Sequence, residues 1–268
     1  MRSKTNIGSV VRAIFILIIV VFGFILLIKM NIIDAYRFWN PEIVSNCVTV
    51  TIVCNKTMTK KCEAVANSLN QLGIRTQVFN MIPYTIKSDV LIIYDKPVIT
   101  NLELVKLKEY ASQGGVLVLA DGSGIASKEK KKIVYVGLGE LQVMKSGKNP
   151  DLGFDYVINQ SGNSSKPVLI KVNNLTIVNV ELFRFCRGVY KLHQKIYDYT
   201  VFGTNLEEYG ILNTTDGQKP AIIIQTYGKG FIVFAPFDIF MNGDSCLISG
   251  IIRRTCANQF LLCKLGLA

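Results

Sequence analysis

Hydrophobic and polar positions follow three different periods along this chain, and each change of period marks a change of structure. From Ala13 to Ile28 the sequence AIFILIIVVFGFILLI has no polar side chain and is bounded by Arg12 and Lys29. The strict run rises about 24 Å, and Val10, Val11, Ile32 and Ile33 extend it toward the ~30 Å of a hydrocarbon layer, so it predicts one transmembrane helix. Val48 to Val53 (VTVTIV) is β-branched and alternates, as a strand does. Thr57 to Leu72 then takes a helical period closed by Gly73, and Arg75 to Phe79 is a second short strand. Asp89 to Tyr94 (DVLIIY) and Gly115 to Ala120 (GVLVLA) are uninterrupted apolar runs, the pattern of strands buried on both faces. A helix over 101–112, with Thr100 as its N-cap, lies between them. Strands alternating with helices require right-handed crossovers and a parallel sheet, so the body is an α/β fold.

Beyond Ala120 the pattern changes. Residues 125–166 lose periodicity and carry the charged run Lys128, Glu129, Lys130, Lys131 and Lys132, which reads as an insertion or long loop. Val168 to Val172 and Leu175 to Val180 flank Asn173-Asn174, a turn tolerant of positive φ, and predict a β-hairpin. Tyr209 to Leu212, Ala221 to Gln225 and Phe231 to Ala235 predict a meander whose last member joins the main sheet. A final helix is expected from Ser245 to about Lys264. The resulting division is 1–12 before the membrane, 13–30 the anchor, 31–46 a linker and 47–268 the body.

Charge gives the anchor a direction. Arg2, Lys4 and Arg12 precede the helix with no acid among them, against Lys29 and Arg37 just after it. Lys and Arg beside the first helix set topology, so the N-terminus is expected in the cytoplasm and the body on the extracytoplasmic side, in the cell membrane or envelope. Tyr36, Phe38 and Trp39 suit an interfacial aromatic belt. A cleaved signal peptide is the competing reading, but its apolar region is shorter and no A-x-A-like site follows here. Overall the chain has 30 Lys+Arg against 19 Asp+Glu. That basic balance speaks of partners and solubility, yet export and the lack of any nucleic-acid module exclude a nucleic-acid role. The expected partners are the membrane and another envelope or membrane protein.

Export also changes how the seven cysteines are read, since disulfides persist outside. There is no C-x-x-C, which disfavours a zinc knuckle or a thioredoxin-like site. Cys54 and Cys62 flank a strand-to-helix turn and are close enough to pair. Cys256 and Cys263, seven apart on one expected helix, are about 10 Å apart and cannot pair with each other. If bridged, they would need partners from the body, and an odd count leaves at least one thiol free or intermolecular; the competing reading is seven small buried hydrophobes with no bridge. Asn-x-Ser/Thr triplets at Asn55, Asn163, Asn174 and Asn213 suit a glycosylated outer face.

The stretch DVLIIYDKPVITNLELVKLKEYASQGGVLVLADGSG (89–124) resembles the glutamine-amidotransferase-like domains of the flavodoxin-like class. YGKGFIVFAPFDIFMNGD (227–244) and ANQFLLCKLG (257–266) look like their final strand and helix, so the resemblance covers about 65 of 268 residues. It implies a three-layer α/β/α body with a mostly parallel flavodoxin-like sheet and a β-hairpin or meander addition, in the style of a membrane-anchored branch of unknown function. The family's enzymes carry Cys on a sharp elbow and a late His and Glu. Here the elbow reads Ala120-Asp121-Gly122-Ser123-Gly124, and the single histidine, His193, is not in the late position, so the resemblance implies an absent triad.

Ligands of doubly wound sheets sit beyond the carboxyl ends of the strands. Asp95, Asp121 and Asp238 fall there, with Ser123, Asn242 and Asp244 expected nearby. Clustered carboxylates repel and need a hard cation, a cationic ligand group or raised pKa values to coexist. The bland reading is that each Asp caps a helix or bends a turn. Ser123 lacks the G-x-S-x-G setting of a nucleophile, and neither a dinucleotide nor a Walker fingerprint occurs, so no cofactor is expected. The expectation is a non-catalytic tethered binding or scaffolding domain with Asp95, Asp121, Ser123, Asp238 and Asn242 about its ligand. The alternative is a metal-assisted hydrolase using the three acids.

Overall fold

The computed structural model describes residues 7–39, 42–96, 98–123, 126–129, 132–135, 154–158, 169–177, 186, 189–203, 206–241 and 245–267. Helix α1 runs Ile7–Lys29, and its stretch Val10–Lys29 has a mean hydropathy of 3.1 and is almost wholly unburied by the rest of the chain. It is long and apolar enough to cross a membrane, as an anchor or a signal sequence would. Its end is a left-handed cap: Asn31 has φ 55°, its N–H donates to the Ile28 carbonyl at 2.9 Å, and the Ile32 N–H donates to the Leu27 carbonyl at 3.0 Å.

The body is built on a mixed seven-stranded sheet. Its first members are β1 (Thr49–Cys54), β2 (Arg75–Phe79) and β3 (Val90–Tyr94). Helix α2 (Thr59–Gln71) links β1 to β2. After the short strand β4 (Val98–Ile99), α3 (Asn101–Ser112) leads into β5 (Val116–Ala120). Then come β6 (Ala126–Glu129), β7 (Lys132–Tyr135), β8 (Phe154–Ile158), β9 (Leu169–Thr176), β10 (Val189–Tyr197) and β11 (Tyr199–Gly203). The chain continues through β12 (Glu207–Glu208), β13 (Ile211–Thr214), β14 (Gly217–Pro220), β15 (Ile223–Tyr227) and β16 (Gly230–Ala235). It closes with α4 (Cys246–Thr255) and α5 (Ala257–Lys264). The sheet order is β12-β15-β16-β5-β3-β1-β2, parallel from β16 to β2 and antiparallel at β15 and β12.

The two runs without polar residues are the two innermost strands. Every residue of β3 and β5 is buried, as a strand covered on both faces requires. β2 alternates between half-buried and exposed because it is an edge. Thr100 begins α3 with a reciprocal capping box to Glu103. The turn at 227–230 needs glycine: at Gly228, with φ +60°, an added Cβ would lie 2.7 Å from the Ser112 carbonyl oxygen.

Three sequence expectations are corrected. Asn173-Asn174 is no turn: β9 passes straight through it and pairs with β10 and β13, because cross-strand partners Lys191 and Asn213 take up Asn174 on both sides. The tight turn lies at Thr215-Asp216, between β13 and β14. The expected meander is split, β13 and β14 joining the four-stranded sheet β10-β9-β13-β14 while β15 and β16 join the main one. The single closing helix is two, interrupted at Cys256, whose φ of −108° and ψ of 21° leave the helical region. Within 125–166, the described residues include β6, β7 and β8, so that insertion is not all loop.

Three disulfides join Cys47 to Cys263, Cys54 to Cys62 and Cys186 to Cys246, and Cys256 is a buried free thiol. The first spans 216 residues, tying the entry of the body to its last helix. Cross-linking so long a loop removes much of the entropy of the unfolded chain. Replacing both Cys47 and Cys263 by Ala should cost roughly 2–4 kcal/mol of unfolding free energy, read as a lower denaturation midpoint in urea; an unchanged midpoint would count against the bridge.

Candidate functional site

Parallel pairing brings four strand ends into one row: Cys54, Tyr94, Ala120 and Ala235 are successive partners across β1, β3, β5 and β16. The next residue of the first three strands forms a polar rim of Asn55, Asp95 and Asp121. Asp95 and Asp121 share an unusual backbone, both with φ 50°, a left-handed state that Asp tolerates better than most residues and that turns the chain abruptly at the sheet edge. The Asp121 N–H donates to the carbonyls of Ala235 and Phe237 at 3.2 and 3.1 Å, which locks this turn to the strand beside it. The Asn55 amide donates to Asp95 Oδ2 at 3.4 Å.

Asp238, three residues beyond β16, closes the row from the other side. Its Oδ1 accepts the Phe240 N–H at 3.0 Å and the Tyr94 hydroxyl at 2.6 Å. Tyr94 is held by stacking on Phe240, ring centroids 4.4 Å apart. Lys61, from the first turn of α2, donates to the Tyr94 oxygen at 3.0 Å and forms an ion pair with Asp238. The Cys54–Cys62 disulfide sets Lys61 there, since it fastens the first turn of α2 to the end of β1 one residue away. From the four-stranded sheet, Gln194 Oε1 accepts the Asp238 N–H at 3.4 Å, and its buried Nε2 has no hydrogen-bond partner among the described residues.

Burial raises the Asp121 carboxyl from its ordinary range to about 6, and the charges of Asp238 and Asp95 add to that rise while the Tyr94 hydroxyl and Lys61 oppose it. Burial likewise pushes Asp95 upward against the Asn55 hydrogen bond. Burial, then the Asp121 charge and the bond to Asp238, drive the Tyr94 phenol far up, so it stays a hydroxyl donor. The three acids are therefore one electrostatic group, and its counter-charge is the protein's own ammonium. No group of three His, Cys, Asp or Glu side chains able to hold a metal occurs among the described residues.

Ser123 is fully buried, and its Oγ accepts the Lys96 N–H at 3.0 Å, so it braces the loop after β3 instead of lining the rim. Asn242, Asp244 and the His193 side chain lie outside the described residues. Lys61, Tyr94, Asn55 and Gln194 were missed from sequence. A signal existed for two of them: a tyrosine ending a fully buried strand must find a partner for its hydroxyl, and the first strand-to-helix connection of such a sheet borders its ligand crevice. Gln194 comes from a different sheet and gave no signal.

A cavity of about 300 Å3 opens at the opposite edge among Asn31, Asp34, Glu207, Lys229, Arg254 and Asn258. Arg254 there is already engaged, with Asp34 at 2.8 Å, with Glu207, and stacked over the rings of Tyr36 and Phe231. Its charges compensate one another, which makes it a joint.

No family model and no curated protein matches the sequence. Solved structures share the fold. A putative ThuA-like protein from Bacteroides uniformis superposes with a TM-score of 0.54 at 12% identity, over 82% of this chain and 98% of its own. A beta-galactosidase from Rahnella sp. R3 gives 0.52 at 12% identity over 85% of this chain, and one from Bacillus circulans sp. alkalophilus 0.51 at 14% over 80%. The chain spans only 32% and 31% of those two enzymes. At such identities the likeness is one of fold, and it fits the glutamine-amidotransferase-like fold expected from residues 89–124.

A carboxyl whose folded pKa lies above its unfolded value of about 3.9 destabilises the fold once ionised. Stability from Asp121 is therefore full below about pH 4 and falls as pH rises through about 6. Asp121→Asn keeps the tolerated left-handed backbone and removes the charge. It should raise stability at pH 7.5 by on the order of 1–2 kcal/mol after allowance for partial solvent screening, and flatten the decline between pH 4 and 6. Melting curves across that range check this; an unchanged slope would separate Asp121 from its neighbours.

Proposed function

We propose that the chain is a membrane-tethered, non-catalytic binding domain of the cell envelope, its N-terminus cytoplasmic and its body extracytoplasmic, with the carboxyl edge of the sheet as its binding surface. The observation that carries this is the Lys61–Tyr94–Asp238 cluster beside Asp121: donors and acceptors of both charge signs converge at one rim, with the Gln194 amide N–H unmatched among the described residues. Such a rim suits a polar, uncharged or zwitterionic group, presented by a small molecule or by a neighbouring envelope protein.

Three disulfides in one chain favour an oxidising compartment, which supports export behind α1. The β2-β1-β3-β5 order with the α2 and α3 crossovers supports a three-layer flavodoxin-like arrangement, and the apolar length of α1 supports the membrane-bound style of that class. The elbow position holds Asp121, Gly122 and a buried Ser123 where the amidotransferases carry cysteine, which supports loss of the triad.

Turnover of any ester, amide, phosphoester or glycoside reporter that disappears in Asp121→Asn would overturn the non-catalytic reading, as would protection of the C-terminal half from protease added to intact cells. The same geometry predicts how divalent cations behave. Because Lys61 already occupies the cation position, magnesium, calcium or zinc up to millimolar concentration should leave the melting temperature unchanged. Lys61→Met should lower it at pH 8 and create a metal-dependent rise. A metal-induced shift in the unaltered protein would instead favour the hydrolase.

A further inference from the structure

The apolar length of α1 and the way the body grips its end conflict unless the body itself enters the bilayer. Val10–Lys29 is 20 residues, about 30 Å of helix, and matches a hydrocarbon layer only if it is immersed to its last turn. That last turn is not free. Ile28 is 1% exposed, covered by the body, and its carbonyl accepts from the Asn258 amide at 3.2 Å. Asn258 also donates to the Ile33 carbonyl at 2.9 Å and to Asn31 Oδ1 at 2.8 Å, and accepts the Ala35 N–H at 2.7 Å. Phe38 folds back so that its ring lies 5.5 Å from that of Phe24, a residue about 7.5 Å below Lys29 along the helix axis.

Two placements are possible. If water begins at Phe38, immersion of α1 ends near Gly23, the span shrinks to about 21 Å, and Phe24, Leu26 and Leu27 stand exposed in water. If α1 is immersed to Lys29, Phe38 and the elements beside it lie at acyl-chain depth. The surface chemistry selects the second. Ile32, Phe38, Leu265 and Leu267, from the segment after α1 and the segment after α5, are between 42% and 63% exposed. These are exposed apolar side chains where a soluble surface would be polar. Cations border them: Lys29 ends α1, and Lys264 places its ammonium 5.7 Å from the Trp39 ring. Apolar stems with snorkelling ammonium groups suit the boundary between acyl chains and anionic headgroups.

We infer that Ile32, Phe38, Trp39, Leu265 and Leu267 form a hydrophobic foot inserted into the outer half of the bilayer that α1 crosses, while Asp34 of the same segment stays paired with Arg254. The inference rests on reading α1 as the span. Trp39, the single tryptophan of the chain, reports on it. The full-length protein is reconstituted in phosphatidylcholine–phosphatidylglycerol vesicles carrying bromine at shallow or deep acyl positions. Trp39 emission should fall at least twofold with the shallow label, less with the deep one, and resist aqueous iodide. Phe38→Ser combined with Leu265→Ser should reverse this pattern while the chain still resists carbonate extraction and keeps the Cys47–Cys263 bridge on non-reducing gels. Iodide quenching without lipid quenching in a carbonate-resistant parent protein overturns the foot alone. Carbonate release of the parent protein overturns span and foot together.

Discussion

Three carboxylates can share the edge of this sheet because one ammonium stands among them. Asp95, Asp121 and Asp238 arrive from three separate segments, and in a half-buried setting their mutual repulsion would open the edge unless it were answered. The answer is internal: Lys61 pairs with Asp238 and hydrogen-bonds Tyr94, while the Tyr94 hydroxyl touches the same acid. Much of the surrounding structure is in service of that placement. The Cys54–Cys62 bridge fixes the turn of α2 that carries Lys61, Phe240 fixes the Tyr94 ring, and the left-handed turns at Asp95 and Asp121 aim their side chains at the rim. The electrostatic group is only partly answered, however, since one lysine faces three acids and the carboxyl of Asp121 is held near 6.

What the sequence revealed and what it hid divide along a physical line. The runs DVLIIY and GVLVLA announced adjacent buried strands because burial on both faces leaves no freedom for a polar residue, and β3 and β5 are indeed partners. From that adjacency the closeness of Asp95 and Asp121 followed, since register carries the residue after one strand end beside the residue after its neighbour. Lys61 was hidden because a lysine in the first turn of an amphipathic helix looks the same whether it faces water or an acid from residue 238. Asn173-Asn174 misled for a related reason. Asn is permitted in a left-handed turn but not compelled into one, and two neighbouring strands outweighed its local preference. The break at Cys256 left no trace in periodicity, because α4 and α5 both remain largely buried around it.

The joint at the other edge holds the end of α1 rigidly against the body. A string of flexible residues after a transmembrane helix leaves the attached body free to tumble. Here Asn258 takes up the carbonyls of Ile28 and Ile33 and the N–H of Ala35, which are backbone groups that would otherwise need water at the end of a helix. Arg254, 4% exposed, binds Asp34 from that same segment and Glu207 from the sheet at once. Losing either acid would leave part of a buried guanidinium without its partner, so the segment and the sheet are held as one body.

That joint also fixes which way the carboxyl edge of the sheet faces. The Asn31 amide donates to the Lys229 carbonyl at 2.9 Å, in the turn that opens β16, so the end of α1 abuts the amino edge of the parallel strands. From there β16, β5, β3 and β1 all run away from α1, and five or six residues at about 3.3 Å each carry the chain roughly 17–20 Å to the rim of Asn55, Asp95 and Asp121. The two charged clusters thus differ in both position and saturation. The one beside α1 is closed on itself and supports the fold, whereas the distant one keeps a raised carboxyl and an amide N–H with no partner among the described residues. Parallel topology alone produces this polarity, because every carboxyl strand end must lie on the side opposite the strand beginnings to which the end of α1 is fastened.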